Sequence, residues 1–143
     1  MVSEKLVSWR EDGKYISVGG KAHQLFVKQF GDEHAPSKKT LLLIHGFPES
    51  SFSFHGIIEG MLKTFDRIIL SDMLGYGWSD KPTRNYSYSL LEQADSVLEV
   101  WKHFGVKGGH ILSHDMGDSV ATEILARREE ASLPVWFSDG LQS

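Results

Sequence analysis

The chain is expected to be an α/β protein, with a mainly parallel sheet, helices on both faces and an antiparallel hairpin at its N-terminal end. Three observations predict this. Two strand-like segments meet at Gly19-Gly20, a sequence suited to a hairpin turn. Short apolar runs then recur, each closed by small or polar residues. Segments with helical spacing separate the runs, which is the alternation that builds a parallel sheet.

Trp9 to Val18 and Lys21 to Phe30 read as the two hairpin strands. Gly31 to Lys39 is a polar loop containing Pro36. Thr40 to Ile44 carries four consecutive apolar residues, the mark of a strand buried on both faces, and ends at His45-Gly46-Phe47-Pro48. Ser53 to Phe65 has helical spacing through Phe54, Ile57, Ile58, Met61, Leu62 and Phe65. Arg67 to Leu70 is a second buried strand closing at Ser71-Asp72, and Gly75 to Pro82 is rich in turn residues.

Ser89 to Phe104 is the clearest helix. Its inward face is Leu90, Leu91, Ala94, Val97, Leu98, Trp101 and Phe104. Ser89 and Glu92 form a capping box, and Gly105 stops the helix. Gly109 to Leu112 is a third buried strand. Gly117 to Arg128 is the helix after it, with Val120, Ala121, Ile124 and Leu125 inward. Leu133 to Phe137 reads as one more strand, against which Pro134 counts.

Ligands of such sheets bind at the carboxyl ends of the strands. His45-Gly46, Asp72 and Asp115 all fall at those ends, so three strand termini converge on one crevice. The central feature is Ser113-His114-Asp115-Met116-Gly117. A sharp strand-to-helix bend tolerates only small residues two positions before and after its apex. Ser113 and Gly117 meet that demand around Asp115, whereas an apex at Ser113 would put Ile111 and Asp115 at the flanks. The candidate nucleophile is therefore a carboxylate, which suits displacement at an alkyl carbon rather than serine acyl transfer.

The length of 143 residues allows one domain at most. A formal charge of −4 without a Lys/Arg cluster argues against nucleic-acid binding. The absence of cysteine excludes disulfides and thiolate catalysis. The N-terminus lacks the apolar core of a signal peptide, and the longest apolar run, Leu41 to Ile44, is too short to span a bilayer. A cytoplasmic location is the default expectation.

Plainer readings stand beside these. Asp115 could serve only as the N-cap of the following helix. Asp72 reads as a structural group bonding its own loop. Gly75 and Gly77 lack the third glycine of a dinucleotide loop and read as turn residues. His110, His114 and Asp118 have metal-like spacing only on a helix, while His110 falls in a strand. Trp101 and Phe104 are read as core, and Tyr86 and Tyr88 as loop or packing residues. No cofactor or metal is expected.

His45-Gly46-Phe47-Pro48, the stretch from Asp72 to Pro82, and Ser113 to Asp118 together resemble the N-terminal half of the α/β-hydrolase fold, from about Trp9 to about Arg128. The aspartate at the bend resembles the branch of epoxide hydrolases and haloalkane dehalogenases. The resemblance implies a truncated α/β-hydrolase fold, with residues 1–143 the N-terminal portion of one domain. It implies that Asp115 attacks an electrophilic carbon to form an alkyl–enzyme ester, which a histidine-activated water hydrolyses. The N–H groups of Phe47 and Met116 would form the oxyanion hole. Pro48 has no N–H to offer, and His45, Gly46, Ser113, His114 and Gly117 support the two turns. Dehalogenases of this type hold halide with side-chain N–H groups near these positions, which Phe47 and Met116 lack, so the epoxide-hydrolase reading is favoured. Met116 also departs from the Trp common at that position in epoxide hydrolases.

The resemblance further places the catalytic histidine, its acid partner and a cap in later segments. The last histidine here is His114, on the bend itself, and His45 has a structural place. The expectation is a nucleophile and an oxyanion hole without a base or cap, and a chain inactive alone. Its partners would be a small apolar electrophile and a protein covering the exposed sheet edge beside the strand before Asp115. Marginal stability or aggregation is expected without such cover. The family also adds the endoplasmic reticulum membrane as a second location. A binding-only role is the alternative. From Glu129 onward the family pattern fades, with Phe137-Ser138-Asp139-Gly140 echoing the end of a next strand.

Overall fold

Thr40–Ile44 (β3) and Arg67–Ser71 (β4) are buried at every position in the computed structural model, which describes residues 3–20 and 22–142. They lie at the middle of a six-stranded sheet. The other strands are Lys14–Val18 (β1), His23–Gly31 (β2), Gly108–Ser113 (β5) and Gly140–Gln142 (β6), and the order is β1-β2-β4-β3-β5-β6. β1–β2 and β2–β4 pair antiparallel, and the remaining pairs are parallel.

The alternation of side chains along a strand divides the core in two. Leu42, Ile44 and Ile69 face one side, where Val97 and Trp101 of helix α3 (Leu90–His103) and Val120 and Ile124 of helix α4 (Met116–Glu129) cover them. Leu41, Leu43, Ile68 and Leu70 face the other, under Trp9, Phe54 and Ile58. A continuous apolar run is required because both faces are dry.

Several expectations are corrected. Residues 4–11 form a helix (α1, Glu4–Glu11) and not the start of a strand. Ser3 caps it by accepting the Leu6 N–H, and Trp9 is buried against Phe30 and Phe52, so tertiary packing overrides the aromatic strand signal. Lys21, expected to open the second strand, lies outside the described residues; β2 begins at His23, opposite Val18. Gly19 and Gly20 have φ of 61° and 66°, as the turn demands.

The helix expected over Ser53 to Phe65 is broken into a 3₁₀ turn at Ser51–Phe54 and the four-residue helix α2, Ile58–Met61. Its anchors Phe54 and Ile58 are nevertheless buried. In α3, Ser89 accepts the Glu92 N–H at 3.2 Å. The Glu92 carboxylate turns back to the Ser87 N–H at 2.6 Å and the Ser87 hydroxyl, so the box closes on Ser87. Leu90 and Leu91, expected inward, are exposed, because they precede the turn of α3 that reaches the sheet.

β5 is buried only at its start. β6 pairs with Gly108, Gly109 and His110, so Ile111 to Ser113 have a neighbour on one side only and Leu112 is 37% exposed. The strand expected at Leu133 to Phe137 is a turn: Pro134 lacks a ladder N–H, and its carbonyl accepts the Phe137 N–H at 2.9 Å. Phe137 instead packs its ring on Trp101, and Gly140 opens β6 where the end of a strand was expected. Among the described residues no helix is long and apolar enough to cross a membrane.

Candidate functional site

At the C-terminal end of β5 the chain bends through Asp115, whose φ of 54° and ψ of −121° are unusual for any residue but glycine. The bend is held by close backbone approach. A Cβ at Gly117 would lie 2.5 Å from the Ile44 and His45 carbonyl oxygens, and one at Gly46 would lie 2.6 Å from the Asp115 Cβ. Only glycine fits at either position, which is why the His45-Gly46 turn and the β5–α4 bend can touch. Ser113 closes the other flank by donating its hydroxyl to Asp118 at 2.6 Å.

Asp115 Oδ1 accepts two hydrogen bonds, from the Phe47 N–H at 3.0 Å and the Met116 N–H at 2.6 Å. Those two donors, the Phe47 amide foremost, hold the carboxyl below the ordinary aspartate range. Oδ2 accepts no hydrogen bond among the described residues. The ionised group therefore sits at the N-terminus of α4 with one oxygen anchored and the other open. Pro48 contributes no donor, in keeping with its missing N–H.

His45 is buried beneath this turn. Its Nε2 accepts the Met73 N–H at 2.9 Å, which puts the ring proton on Nδ1, 2.9 Å from the Gly46 carbonyl. Burial lowers its pKa and keeps it neutral. Asp72 is likewise structural: Oδ1 accepts the Ser51 N–H at 2.7 Å and Oδ2 the Trp78 N–H at 2.8 Å. Gly77, at φ 51°, leaves no room for a Cβ beside that carboxylate, so the Gly75-Tyr76-Gly77 segment is a tight turn.

His114 does not join the Asp115 carboxylate. Its ring is exposed, with Nδ1 3.2 Å from Glu49 Oε2. Neither this Glu49 contact nor the part played by Tyr76 was anticipated from sequence. The Tyr76 hydroxyl lies 3.7 Å from Met116 Sδ, and its ring meets Phe47 and His45 edge-on. A large aromatic between two turn glycines was the available signal, since a turn alone gives no reason for it. Tyr76, Phe47 and Met116 make an apolar rim beside the carboxylate, and Phe47 is 61% exposed. Among the described residues no group of His, Asp and Glu could hold a metal ion, and the His110 ring lies tilted against Phe65 instead.

The sequence pattern of the alpha/beta hydrolase fold family matches residues 39–134. The mesoderm-specific transcript homolog protein of Bos taurus is 40% identical over 128 residues, covering 88% of this chain and 37% of its own length. LipZ of Mycobacterium tuberculosis is 40% identical over 134 residues, covering 94% of this chain and 43% of its own. The chain thus spans about two fifths of the curated relatives it matches. An epoxide hydrolase of Vigna radiata shares the fold with a TM-score of 0.68 at 24% identity, over 84% of this chain and 38% of that one. A mixed sheet with the Asp115 bend at the carboxyl end of β5, and a family pattern spanning two thirds of the residues, lead to one assignment: the chain belongs to the alpha/beta hydrolase fold family.

Proposed function

We propose that Asp115 is the nucleophile of an epoxide-hydrolase-like reaction. The observation that carries this reading is the pair of backbone N–H groups, from Phe47 and Met116, on one oxygen of a carboxylate whose other oxygen is open. Oδ2 attacks an epoxide carbon. The C–O bond to that carbon breaks, and the ring oxygen leaves as an alkoxide that takes a proton from water. The product is an ester on Asp115. In its hydrolysis, water gives a proton to a base and adds to the ester carbonyl carbon, the oxyanion lies at the Phe47 and Met116 amides, and the bond from the acyl carbon to Oδ2 then breaks, releasing a diol and restoring the carboxylate.

Water addition requires a base. His45 is buried with both ring nitrogens occupied, and the exposed His114 ring turns to Glu49 and makes no hydrogen bond to the Asp115 carboxylate. The chain is therefore competent for the first step and not for turnover, so an epoxide modifies it once and stops. The substrate is small and apolar, as the Phe47, Tyr76 and Met116 rim requires. The absence of side-chain N–H groups at Phe47 and Met116 argues against a halide leaving group.

Intact-mass spectrometry after exposure to a small aryl epoxide tests this. A single adduct on Asp115, lost in Asp115→Asn, supports the reading. A folded, unmodified sample overturns it and favours a binding-only role. Multiple turnovers would overturn the claim that no base is present.

A further inference from the structure

Lys28 stands in β2 on the face that carries Phe26 and Phe30. It is 3% exposed, whereas every other lysine among the described residues is exposed. Its amine is held between α1 and the sheet. Nζ donates to the Trp9 carbonyl at 2.7 Å, and it lies 4.2 Å from the centroid of the Trp9 ring and 5.2 Å from that of Phe30. It forms no ion pair among the described residues. Desolvation among apolar side chains is one way in which a lysine becomes a nucleophile, because burial disfavours the charged form. Burial draws the Lys28 pKa below the ordinary lysine value, opposed by Asp12 and then Asp72 from a distance.

A cleft of about 620 Å³, the size of a small-molecule site, is lined by Lys28 together with Trp9, Phe30, Phe52 and His55. Its aromatic walls are fixed. The Trp9 indole N–H donates to the Ser51 hydroxyl at 3.1 Å, and Phe52 meets the Trp9 ring edge-on at 5.9 Å. The His55 ring stacks on Phe52, with centroids 4.2 Å apart and planes within 3° of parallel. The charged residues that also line the cleft are Glu4, Asp12 and Glu59, against Lys5. All four are exposed, and the excess of carboxylates disfavours an anionic ligand while leaving an uncharged one unopposed.

We propose that Lys28 is a reactive amine and that this cleft takes an uncharged aromatic aldehyde, held on Lys28 as an imine. The ammonium first gives a proton to solvent. The nitrogen lone pair then forms a bond to the carbonyl carbon, and a proton passes from nitrogen to the carbonyl oxygen. A proton from solvent lets that hydroxyl leave as water, and a protonated C=N bond remains. One N–H and one positive charge thus stay where the ammonium had them. The Trp9 carbonyl accepts that N–H, and the Trp9 and Phe30 rings face the charge, so the partners that hold the amine also hold the product. The cleft shares no residue with the Asp115 bend, and the inference stands whether or not Asp115 is a nucleophile.

Treatment of the whole chain at neutral pH with benzaldehyde and sodium cyanoborohydride, which reduces the imine to a stable amine, followed by peptide mapping, tests it. Lys28 is expected to carry the benzyl group ahead of every exposed lysine. Para-formylbenzoate, the same ring with a negative charge, is expected to label Lys28 more slowly. Phe52→Ala, which removes one wall, is expected to slow Lys28 labelling by about three- to tenfold, the worth of one aromatic contact, and to leave the exposed lysines labelling as before. Lys28→Arg keeps the charge and is expected to lose the fast label; should it fail to fold, the parent map and Phe52→Ala decide the matter. The inference is overturned if the label spreads evenly over the lysines, or if the folded parent leaves Lys28 unmodified. It is equally overturned if either para-formylbenzoate on the parent or benzaldehyde on Phe52→Ala labels Lys28 as fast as benzaldehyde labels it in the parent.

Discussion

The Phe47 N–H and the Asp115 carboxylate, 68 positions apart in sequence, meet at 3.0 Å. The contact joins the turn after β3 to the bend after β5, and it exists because β3 and β5 are parallel neighbours whose ends are level at Ile44 and Ser113. It also holds the carboxylate ionised, since a bond from an N–H stabilises only the charged acceptor well.

Reactivity should follow from that ionisation. The folded pKa of Asp115 lies below its ordinary value of 3.8, so the charged form persists throughout the neutral range. Alkylation by an electrophile whose own reactivity does not change with pH is expected to be flat from neutrality downward, and to decline only below 3.8. Mass-spectrometric rates across pH check this; a decline centred near neutrality would show that a different group reacts.

The strained bend yields a stability prediction. Asp115→Gly and Asp115→Ala both remove the carboxylate, but only glycine accepts φ of 54° with ψ of −121° freely. Asp115→Gly is expected to be the more stable of the two by ~1–3 kcal/mol, the cost of one such backbone outlier. Urea denaturation of the pair measures the difference, and equal midpoints would mean that the bend relaxes in the variants.

Glycines separate sharply by position. Gly117→Ala places a methyl 2.5 Å from two carbonyl oxygens and should cost about 1–3 kcal/mol or more, as overpacking does. Gly60→Ala, in α2 with nothing within 4 Å of a Cβ, should instead stabilise by up to ~1 kcal/mol through helix propensity. Thermal and urea unfolding of both variants test the contrast.

His45 gives the acid limb of stability. Its folded pKa is lowered from 6.5 by burial, so the unfolded chain binds the proton more readily. Stability from this group is complete above 6.5 and is lost as pH falls from there toward the folded value. Urea midpoints between pH 7 and 5 should fall in the parent and fall less in His45→Asn, which cannot titrate. Parallel pH profiles for the two proteins would rule out His45 as the source.

Apolar period and glycine placement were sufficient to predict β3, β4, α3, α4 and the Asp115 bend, because those features follow from local rules: a dry strand must be apolar throughout, and a tight bend must be flanked by small residues. The same local rules misread Trp9, whose aromatic ring suits a strand but is buried as part of a helix against Phe30 and Phe52. They also gave no means of choosing between the partners of His114, or of finding Tyr76 against Met116. The sequence by itself determined which residue stands at the bend and that the sheet is mainly parallel. Tertiary structure alone decided that Phe47 and Met116 point their amides at one oxygen of Asp115, that His45 spends both ring nitrogens on backbone, and that Arg67 is buried against Gln29 and the Phe104 carbonyl. Each depends on segments far apart in the chain being brought level by strand register, a non-local quantity that no window of neighbouring residues encodes.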